Sequence, residues 1–283
     1  MKFIKSKTSN DKESVNLHYV SYGKGQPILF IHGWPLSHQM WEPQLQFFAD
    51  MGYQAIAYDR RGFGNSDKPY NHFDYDTLAE DTKNIIDELG LENVTLVGFS
   101  MGGGEVVRYL SKFGSSKISR AVLMSSIIPL VAQTDDNPNG VPQKELNGIL
   151  DNLKNDRITF LEGFGKNFLN AEKLKVSEAL LNYHFSIAAH ASPRATIETA
   201  KAWATTDFRD ELSAVDVPVL IIHGDADQIV PRETSADQAA EGISDSRYEL
   251  ILNGPHGLNY SHTNKVNEHV LAFVREEVAV AIG

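Results

Sequence analysis

The stretch from Val94 to Gly104 reads Val-Thr-Leu-Val-Gly-Phe-Ser-Met-Gly-Gly-Gly and decides the fold prediction. Its apolar first half predicts a buried strand, and the amphipathic residues that follow predict a helix beginning at Met101. Gly98, Ser100 and Gly102 have the Gly-x-Ser-x-Gly spacing of a sharp strand-to-helix turn, in which the glycines leave space around a strained central residue. The pattern predicts that Ser100 is a nucleophile at the end of a strand, with the Met101 N–H opening the helix.

Strand-like and helical segments alternate on both sides of this turn. Predicted strands cover 3–7, 15–22, 27–31, 54–58, 94–97, 118–124, 219–222 and 248–252. Predicted helices cover 40–51, 75–89, 101–113, 232–241 and 262–278. This alternation is typical of a mostly parallel sheet whose two faces are covered by helices, so we expect an α/β fold.

One interval breaks the alternation. About ninety residues separate the strand ending at Met124 from the next, which is far longer than an ordinary connection. We expect a helical insertion at 127–215, between core segments 1–126 and 216–283. Its aromatic side chains either pack against the sheet or line an apolar pocket, and some of these residues can do the first while others do the second.

A serine nucleophile needs a general base that is held by a carboxylate. His256 follows the last predicted strand, and Asp225 and Asp227 follow the strand at 219–222, so all three lie where open α/β sheets place catalytic groups. Either aspartate fits the role on sequence grounds. Asp225 directly follows a glycine and is explained by a turn cap, so we select Asp227.

A second oxyanion donor is expected in the loop after the third strand, where Trp34 supplies an N–H besides that of Met101. Pro35 has no N–H and restricts Trp34, which fixes the direction of the Trp34 carbonyl. His32 and His223 precede glycines at strand ends, and we expect both to brace their loops. The polar turn at 59–67 is interpreted as scaffolding.

Composition excludes several classes of function. The 283 residues include 26 Lys plus Arg against 37 Asp plus Glu, and a net charge of −11 disfavours nucleic acids and anionic membranes as partners. With no cysteine there is no disulfide, thiolate nucleophile or Cys-ligated metal. No apolar leader or segment of membrane-spanning length is found, so we interpret the protein as cytoplasmic.

Six motifs together point to a known family. The chain resembles the cofactor-free haloperoxidases, also described as perhydrolases and aryl esterases, over essentially its whole length. This resemblance implies an α/β-hydrolase fold with a mostly parallel eight-stranded sheet flanked by helices and an inserted helical cap. The motifs are His-Gly-Trp-Pro at 32–35, Asp-Arg-Arg-Gly-Phe-Gly at 59–64, Gly-Phe-Ser-Met-Gly-Gly-Gly at 98–104, Thr-Asp-Phe-Arg at 206–209, His-Gly-Asp-Ala-Asp-Gln-Ile-Val-Pro at 223–231 and Pro-His-Gly at 255–257.

The resemblance implies a triad of Ser100, Asp227 and His256 and an oxyanion hole of the Trp34 and Met101 N–H groups. It implies hydrolysis of small carboxylic or aryl esters through an acyl-enzyme, and formation of peracids from carboxylic acids and hydrogen peroxide. It requires no cofactor and no metal, and it is compatible with a homo-oligomer. Pro35 after Trp34 resembles the members that favour perhydrolysis.

The pocket and the substrate are less closely specified. Another capped serine hydrolase, such as a lactamase, a carbon–carbon bond hydrolase or a proline-specific peptidase, remains an alternative, as does a small-molecule receptor with slow turnover. Leu258 and residues 127–131 depart from the family pattern and leave acyl-chain preference open. The expected pocket residues are Pro35, Phe99, Phe160, Phe164, Trp203, Ile229 and Val230.

Overall fold

The computed structural model describes residues 1–276, and an eight-stranded sheet lies at its centre. Strand order across the sheet is β1-β2-β4-β3-β5-β6-β7-β8, in which β1, β2 and β4 pair antiparallel and all other neighbours pair parallel. The strands are β1 (Lys2–Ser6), β2 (Val15–Tyr22), β3 (Pro27–Ile31), β4 (Gln54–Tyr58), β5 (Val94–Phe99), β6 (Ile118–Met124), β7 (Val219–Gly224) and β8 (Ser246–Ile251).

Helices cover the sheet and connect its parallel strands. Every residue of β3, β5 and β7 is buried, as expected for parallel strands with both faces covered. The helices are α1 (Glu42–Asp50), α2 (Tyr75–Glu88), α3 (Met101–Phe113), α4 (Gln143–Asn155), α5 (Arg157–Phe168), α6 (Glu178–His190), α7 (Pro193–Thr205), α8 (Ala236–Gly242), α9 (Leu258–Ser261) and α10 (Thr263–Arg275). Short 3₁₀ turns occupy His38–Trp41, Arg209–Ala214 and Arg232–Thr234.

The predicted α/β fold with a mostly parallel eight-stranded sheet is confirmed. The helix expected at 40–51 divides into a 3₁₀ turn and α1, which begins with Pro43 in its first turn, where a missing N–H costs nothing. The last helix was expected to reach Val278. Its described part ends at Arg275, and both Val278 and the last residues of the expected core segment lie outside the described range.

Residues 127–215 contain α4, α5, α6 and α7 and connect β6 to β7. Their aromatic side chains have two kinds of surroundings. Phe168 is buried against the rings of Phe99 and His256, whereas Phe160 and Phe164 border a cavity described below. Across residues 1–276, no helix combines the length and the apolar character needed to cross a membrane.

Candidate active site

Ser100 stands between β5 and α3 in a conformation that few residues adopt. Its φ is +52° and its ψ is −118°, outside the regions that non-glycine residues favour. A Cβ on Gly98 would lie 2.5 Å from the Gly102 carbonyl oxygen, and one on Gly102 would lie 2.5 Å from the Ile31 carbonyl oxygen. The turn therefore requires glycine on both sides of Ser100.

Ser100, His256 and Asp227 form a hydrogen-bonded chain. His256 Nε2 lies 3.0 Å from Ser100 Oγ, and His256 Nδ1 lies 2.7 Å from Asp227 Oδ2. Because an ionised carboxylate only accepts hydrogen bonds, Nδ1 carries the ring proton and Nε2 is free to accept the serine proton. All three side chains are almost fully buried. The arrangement can remove a proton from a serine hydroxyl.

Asp227 is held in its charged form. Burial opposes ionisation, but the electrostatic interaction with His256 and hydrogen bonds from His223 and His256 outweigh it and hold the Asp227 pKa well below its ordinary value. Asp227 Oδ1 also accepts the Ile229 and Val230 N–H groups, each at 2.9 Å. Asp225, the alternative acid, is exposed and accepts the Asn253 N–H at 2.6 Å, so it caps the loop.

Two backbone amides beside Ser100 are free to bind an anion. Within residues 1–276, neither the Met101 N–H nor the Trp34 N–H donates to an acceptor of the protein. The loop that carries Trp34 packs closely against the turn, since a Cβ on Gly33 would lie 3.2 Å from Ser100 Cβ. Met101 is the first residue of α3, where the helix dipole adds positive potential. Both predicted donors therefore lie on segments that adjoin Ser100.

A mostly apolar cavity of about 340 Å³ reaches Ser100. Aromatic rings form one wall, where Trp34 meets Phe164 edge-on at 5.1 Å and Trp203 at 5.9 Å between ring centroids. The exposed Glu145, Asn167 and Gln228 also border the cavity, and no lysine or arginine among residues 1–276 does. The remaining lining residues are Ile127, Val131, Val141, Leu146, Ile149, Phe160, Ile229, Val230 and Pro231.

Two expected pocket residues are placed elsewhere. Phe99 is fully buried, and its ring packs against Trp41, Phe168 and His256, so it supports the histidine and does not line the cavity. Pro35 is buried and is likewise absent from the lining, although it directly follows Trp34. The other expected residues, Phe160, Phe164, Trp203, Ile229 and Val230, all border the cavity.

Several lining residues were missed by the sequence interpretation. Leu146 and Ile149 lie three apart on α4, and this helical spacing is a signal that could have identified them. Ile127 and Val131 lie in the irregular segment after β6, where no periodicity marks the buried positions. Val141 precedes α4 and pairs with Ala132 in an isolated bridge that only the folded chain reveals.

One cluster has the residue types of a metal site. His18 Nδ1 lies 3.1 Å from Asp59 Oδ2, and His38 Nδ1 lies 2.7 Å from Asp59 Oδ1. The same carboxylate also accepts the N–H groups of His38 at 2.7 Å and Asn65 at 2.8 Å. With every oxygen already bonded to donors, the cluster is best explained as an anchor for the loop after β4.

The comparisons with known proteins agree with this geometry. Residues 26–263 match the alpha/beta hydrolase fold family. A non-heme haloperoxidase of Rhodococcus erythropolis is 36% identical over 265 residues, covering 93% of this chain and 97% of the relative. A bifunctional esterase/perhydrolase of Acinetobacter calcoaceticus is 33% identical over 274 residues, covering 93% of this chain and 98% of the relative. The crystal structure of a bromoperoxidase from Bacillus anthracis matches with a TM-score of 0.92 and 40% identity, covering 97% of this chain and 100% of that one.

Proposed function

Because the chain belongs to the α/β-hydrolase fold family, among its non-heme haloperoxidases and esterases, we propose that it is a serine hydrolase that cleaves small carboxylic esters through an acyl-enzyme. The observation that carries this proposal is the hydrogen-bonded chain from Ser100 through His256 to Asp227. A serine hydroxyl alone is a weak nucleophile at neutral pH. In this hydrogen-bonded series His256 is the base that activates it, and Asp227 is the carboxylate that orients the base.

In the first half of the reaction, Ser100 Oγ bonds to the acyl carbon while His256 Nε2 takes the hydroxyl proton. The carbonyl oxygen gains the electron pair and becomes an oxyanion, which accepts hydrogen bonds from the Trp34 and Met101 N–H groups. Asp227 stabilises the charged imidazole. When the carbon–oxygen bond to the leaving group breaks, His256 donates its proton to that group, and the acyl-enzyme remains.

In the second half, water or hydrogen peroxide attacks the acyl carbon and gives its proton to His256. The bond between Ser100 Oγ and the acyl carbon then breaks, and His256 returns the proton to Ser100 Oγ. Water releases a carboxylic acid, and peroxide releases a peracid that can oxidise halide in solution. The relative described as an esterase/perhydrolase supports both outcomes for this chain. We further propose that the Trp34 carbonyl accepts a hydrogen bond from the attacking peroxide, because Pro35 restricts where that carbonyl points.

The cavity limits the substrate to a small, mostly apolar ester. Its volume of about 340 Å³ lies at the lower end of small-molecule sites, and its aromatic wall suits an aryl or short acyl group. Residues 127–215 supply Phe160, Phe164 and Trp203 to this wall, so we propose that the segment acts as a cap over Ser100.

The test measures turnover of 4-nitrophenyl acetate by wild type and Ser100→Ala, with and without hydrogen peroxide, while peracetic acid is assayed. We expect Ser100-dependent turnover and peracid formation. Turnover that survives in Ser100→Ala, or the absence of turnover in the wild-type protein, would overturn the proposal that the protein is a serine hydrolase of small esters. Ser100-dependent turnover without peracid would overturn only the perhydrolase step. A Pro35→Leu variant with an unchanged preference for peroxide over water would contradict the role of the Trp34 carbonyl.

A further inference from the structure

A buried ion pair lies beside the two candidate oxyanion donors and has no part in the proton transfers described above. Arg60 follows β4, and its Nε donates to Glu105 Oε1 at 2.7 Å. The same guanidinium donates through Nη2 to the carbonyl oxygen of His32 at 2.6 Å. Both charged side chains are at most 1% exposed. Removing two charges from water is costly, so this pair calls for a reason besides stability.

Each end of the Arg60 bridge lies on a segment that carries one oxyanion donor. Glu105 lies on α3, one turn after Met101, and its Oε2 accepts the Tyr58 hydroxyl at 2.8 Å. His32 lies two residues before Trp34 in the loop after β3. Arg60 therefore bonds the helix that presents one N–H and the loop that presents the other.

The His32 ring strengthens the same connection. The Arg60 N–H donates to His32 Nε2 at 3.0 Å, so the neutral ring carries its proton on Nδ1, which donates to the Gly33 carbonyl oxygen at 2.8 Å. Burial, together with the charge of Arg60, holds the His32 pKa well below its ordinary value. The neutral ring thus ties the backbone of Arg60 to the residue that precedes Trp34.

The segments joined by Arg60 also touch at glycines. A Cβ on Gly102 would lie 3.1 Å from the His32 carbonyl oxygen, the atom to which Arg60 donates. A Cβ on Gly33 would lie 2.6 Å from the Phe99 ring. The start of α3 and the loop after β3 therefore approach each other too closely for a side chain to fit between them. The hydrogen bonds of Arg60 are among the contacts that hold these two segments together.

We propose that Arg60 is a positioning residue that sets the separation of the Trp34 and Met101 N–H groups by binding Glu105 and the His32 carbonyl at once. The inference rests on the proposed acyl-enzyme function. Donors aimed in advance at a developing oxyanion need no rearrangement during the reaction, which is why their fixed placement accelerates it. A planar guanidinium can serve two acceptors in fixed directions, whereas a lysine ammonium at the same site cannot reproduce that fork.

The test compares Arg60→Lys with Arg61→Lys, a matched control in the next residue. Arg61 is equally buried and pairs with Asp81 at 2.6 Å and with Asp11 at 2.9 Å, but within residues 1–276 none of its hydrogen bonds reaches α3 or the loop of His32. For each variant we measure the melting temperature, kcat and KM with 4-nitrophenyl acetate, and inhibition by a trifluoromethyl ketone. That inhibitor forms an oxyanion on Ser100 and so reports on the two donors directly.

We expect Arg60→Lys to lower kcat and to raise the inhibition constant of the ketone by a similar factor, about 100-fold, which is the typical cost of losing one oxyanion donor. KM should change little. Arg61→Lys should lower the melting temperature and leave both kcat and the inhibition constant nearly unchanged. Glu105→Gln keeps the shape of the acceptor and should give a smaller loss in the same two quantities.

Unchanged kcat and ketone inhibition in Arg60→Lys would overturn the proposal. Parallel losses of activity and stability in Arg60→Lys and Arg61→Lys would also overturn it, because they would reveal a structural role only. If Arg60→Lys does not fold, Glu105→Gln decides on the same criterion. If the proposed serine hydrolase function is itself wrong, the wild-type protein will show no Ser100-dependent turnover. That result differs from every outcome that bears on Arg60.

Discussion

His223 Nε2 lies 3.3 Å from Asp227 Oδ2, the oxygen that also accepts the hydrogen bond from His256. The same nitrogen is 2.9 Å from the Val230 carbonyl oxygen, and since a carbonyl only accepts, Nε2 carries the ring proton. His223 is fully buried at the end of β7. It therefore braces its loop, as the sequence interpretation expected, and it also contacts the carboxylate that orients His256.

We predict that His223→Phe lowers kcat by about 10-fold, consistent with removing an outer hydrogen bond from a functional group. The expected cause is a loosened Asp227 loop, so KM should stay close to the wild-type value. Steady-state kinetics with 4-nitrophenyl acetate measure both. His223→Gln keeps a donor and should lose less; equal losses in the two variants would show that the hydrogen bond is not the cause.

The two loop aspartates should differ sharply in their effect on rate. Asp227→Asn removes the charge that stabilises the imidazole of His256, and we expect kcat to fall by about 10⁴-fold, as in other serine triads. Asp225→Asn changes an exposed cap on the same loop and should leave kcat within about twofold, as expected for an exposed substitution away from the reacting groups. Comparable losses in the two variants would contradict the assignment of Asp227 as the acid.

Trimming the aromatic wall should widen the range of substrates. Phe160 borders the cavity at a ring distance of 6.4 Å from Trp34, whereas Phe185 on α6 is absent from the lining. We expect Phe160→Ala to raise the ratio of kcat/KM for 4-nitrophenyl butyrate to that for the acetate by about 10-fold, since a methylene in a pocket is worth this order. Phe185→Ala is the control, and an equal shift there would argue against the cavity as the acyl site.

His184 should make the folded protein sensitive to mild acid. It is buried between the rings of Phe168 and Tyr260, and burial lowers its pKa to about 4 from an ordinary 6.5. Below pH 6.5 the unfolded chain binds a proton at His184 that the folded protein excludes, so the free energy of unfolding falls until about pH 4. The decrease due to His184 amounts to about 3 kcal/mol.

Urea unfolding of wild type and His184→Phe at pH 7 and at pH 4.5 measures the decrease in the free energy of unfolding that is due to His184. The free energy of unfolding should decline less in the variant than in wild type over this interval. The comparison uses the change with pH and not the absolute stability, so a packing defect from the larger ring does not affect it. Identical declines in the two proteins would exclude His184 as a source of acid sensitivity.

Periodicity predicted the buried strands well because apolar runs and flanking glycines mark them. The bounds of β2, β3, β4 and β6 agree with the prediction. The edge strand β8 begins at Ser246, two residues before the predicted start of the segment 248–252, since its first residues are the polar Ser246 and Arg247. Where a strand is half-solvated, its composition says little about its start.

At the site, the sequence could name Ser100, Asp227 and His256 because each follows a strand in a recognisable turn. It could not place Phe99, since strand position alone does not tell which wall a side chain joins. The sequence interpretation placed Arg60 in a scaffolding turn but predicted neither its burial nor its pairing with Glu105, because charged residues are usually exposed and only the tertiary structure brings residues 60 and 105 together. Pairings between distant segments are thus the part that local patterns leave undetermined.

Ser100, Asp227 and His256 all follow core strands, whereas much of the cavity wall comes from the stretch between β6 and β7. The proposed reactive groups and a large part of the cavity wall are thereby encoded in separate parts of the gene. Exchanging codons 127–215 for those of a homologue offers a route to new substrate ranges, with the reactive apparatus inherited intact.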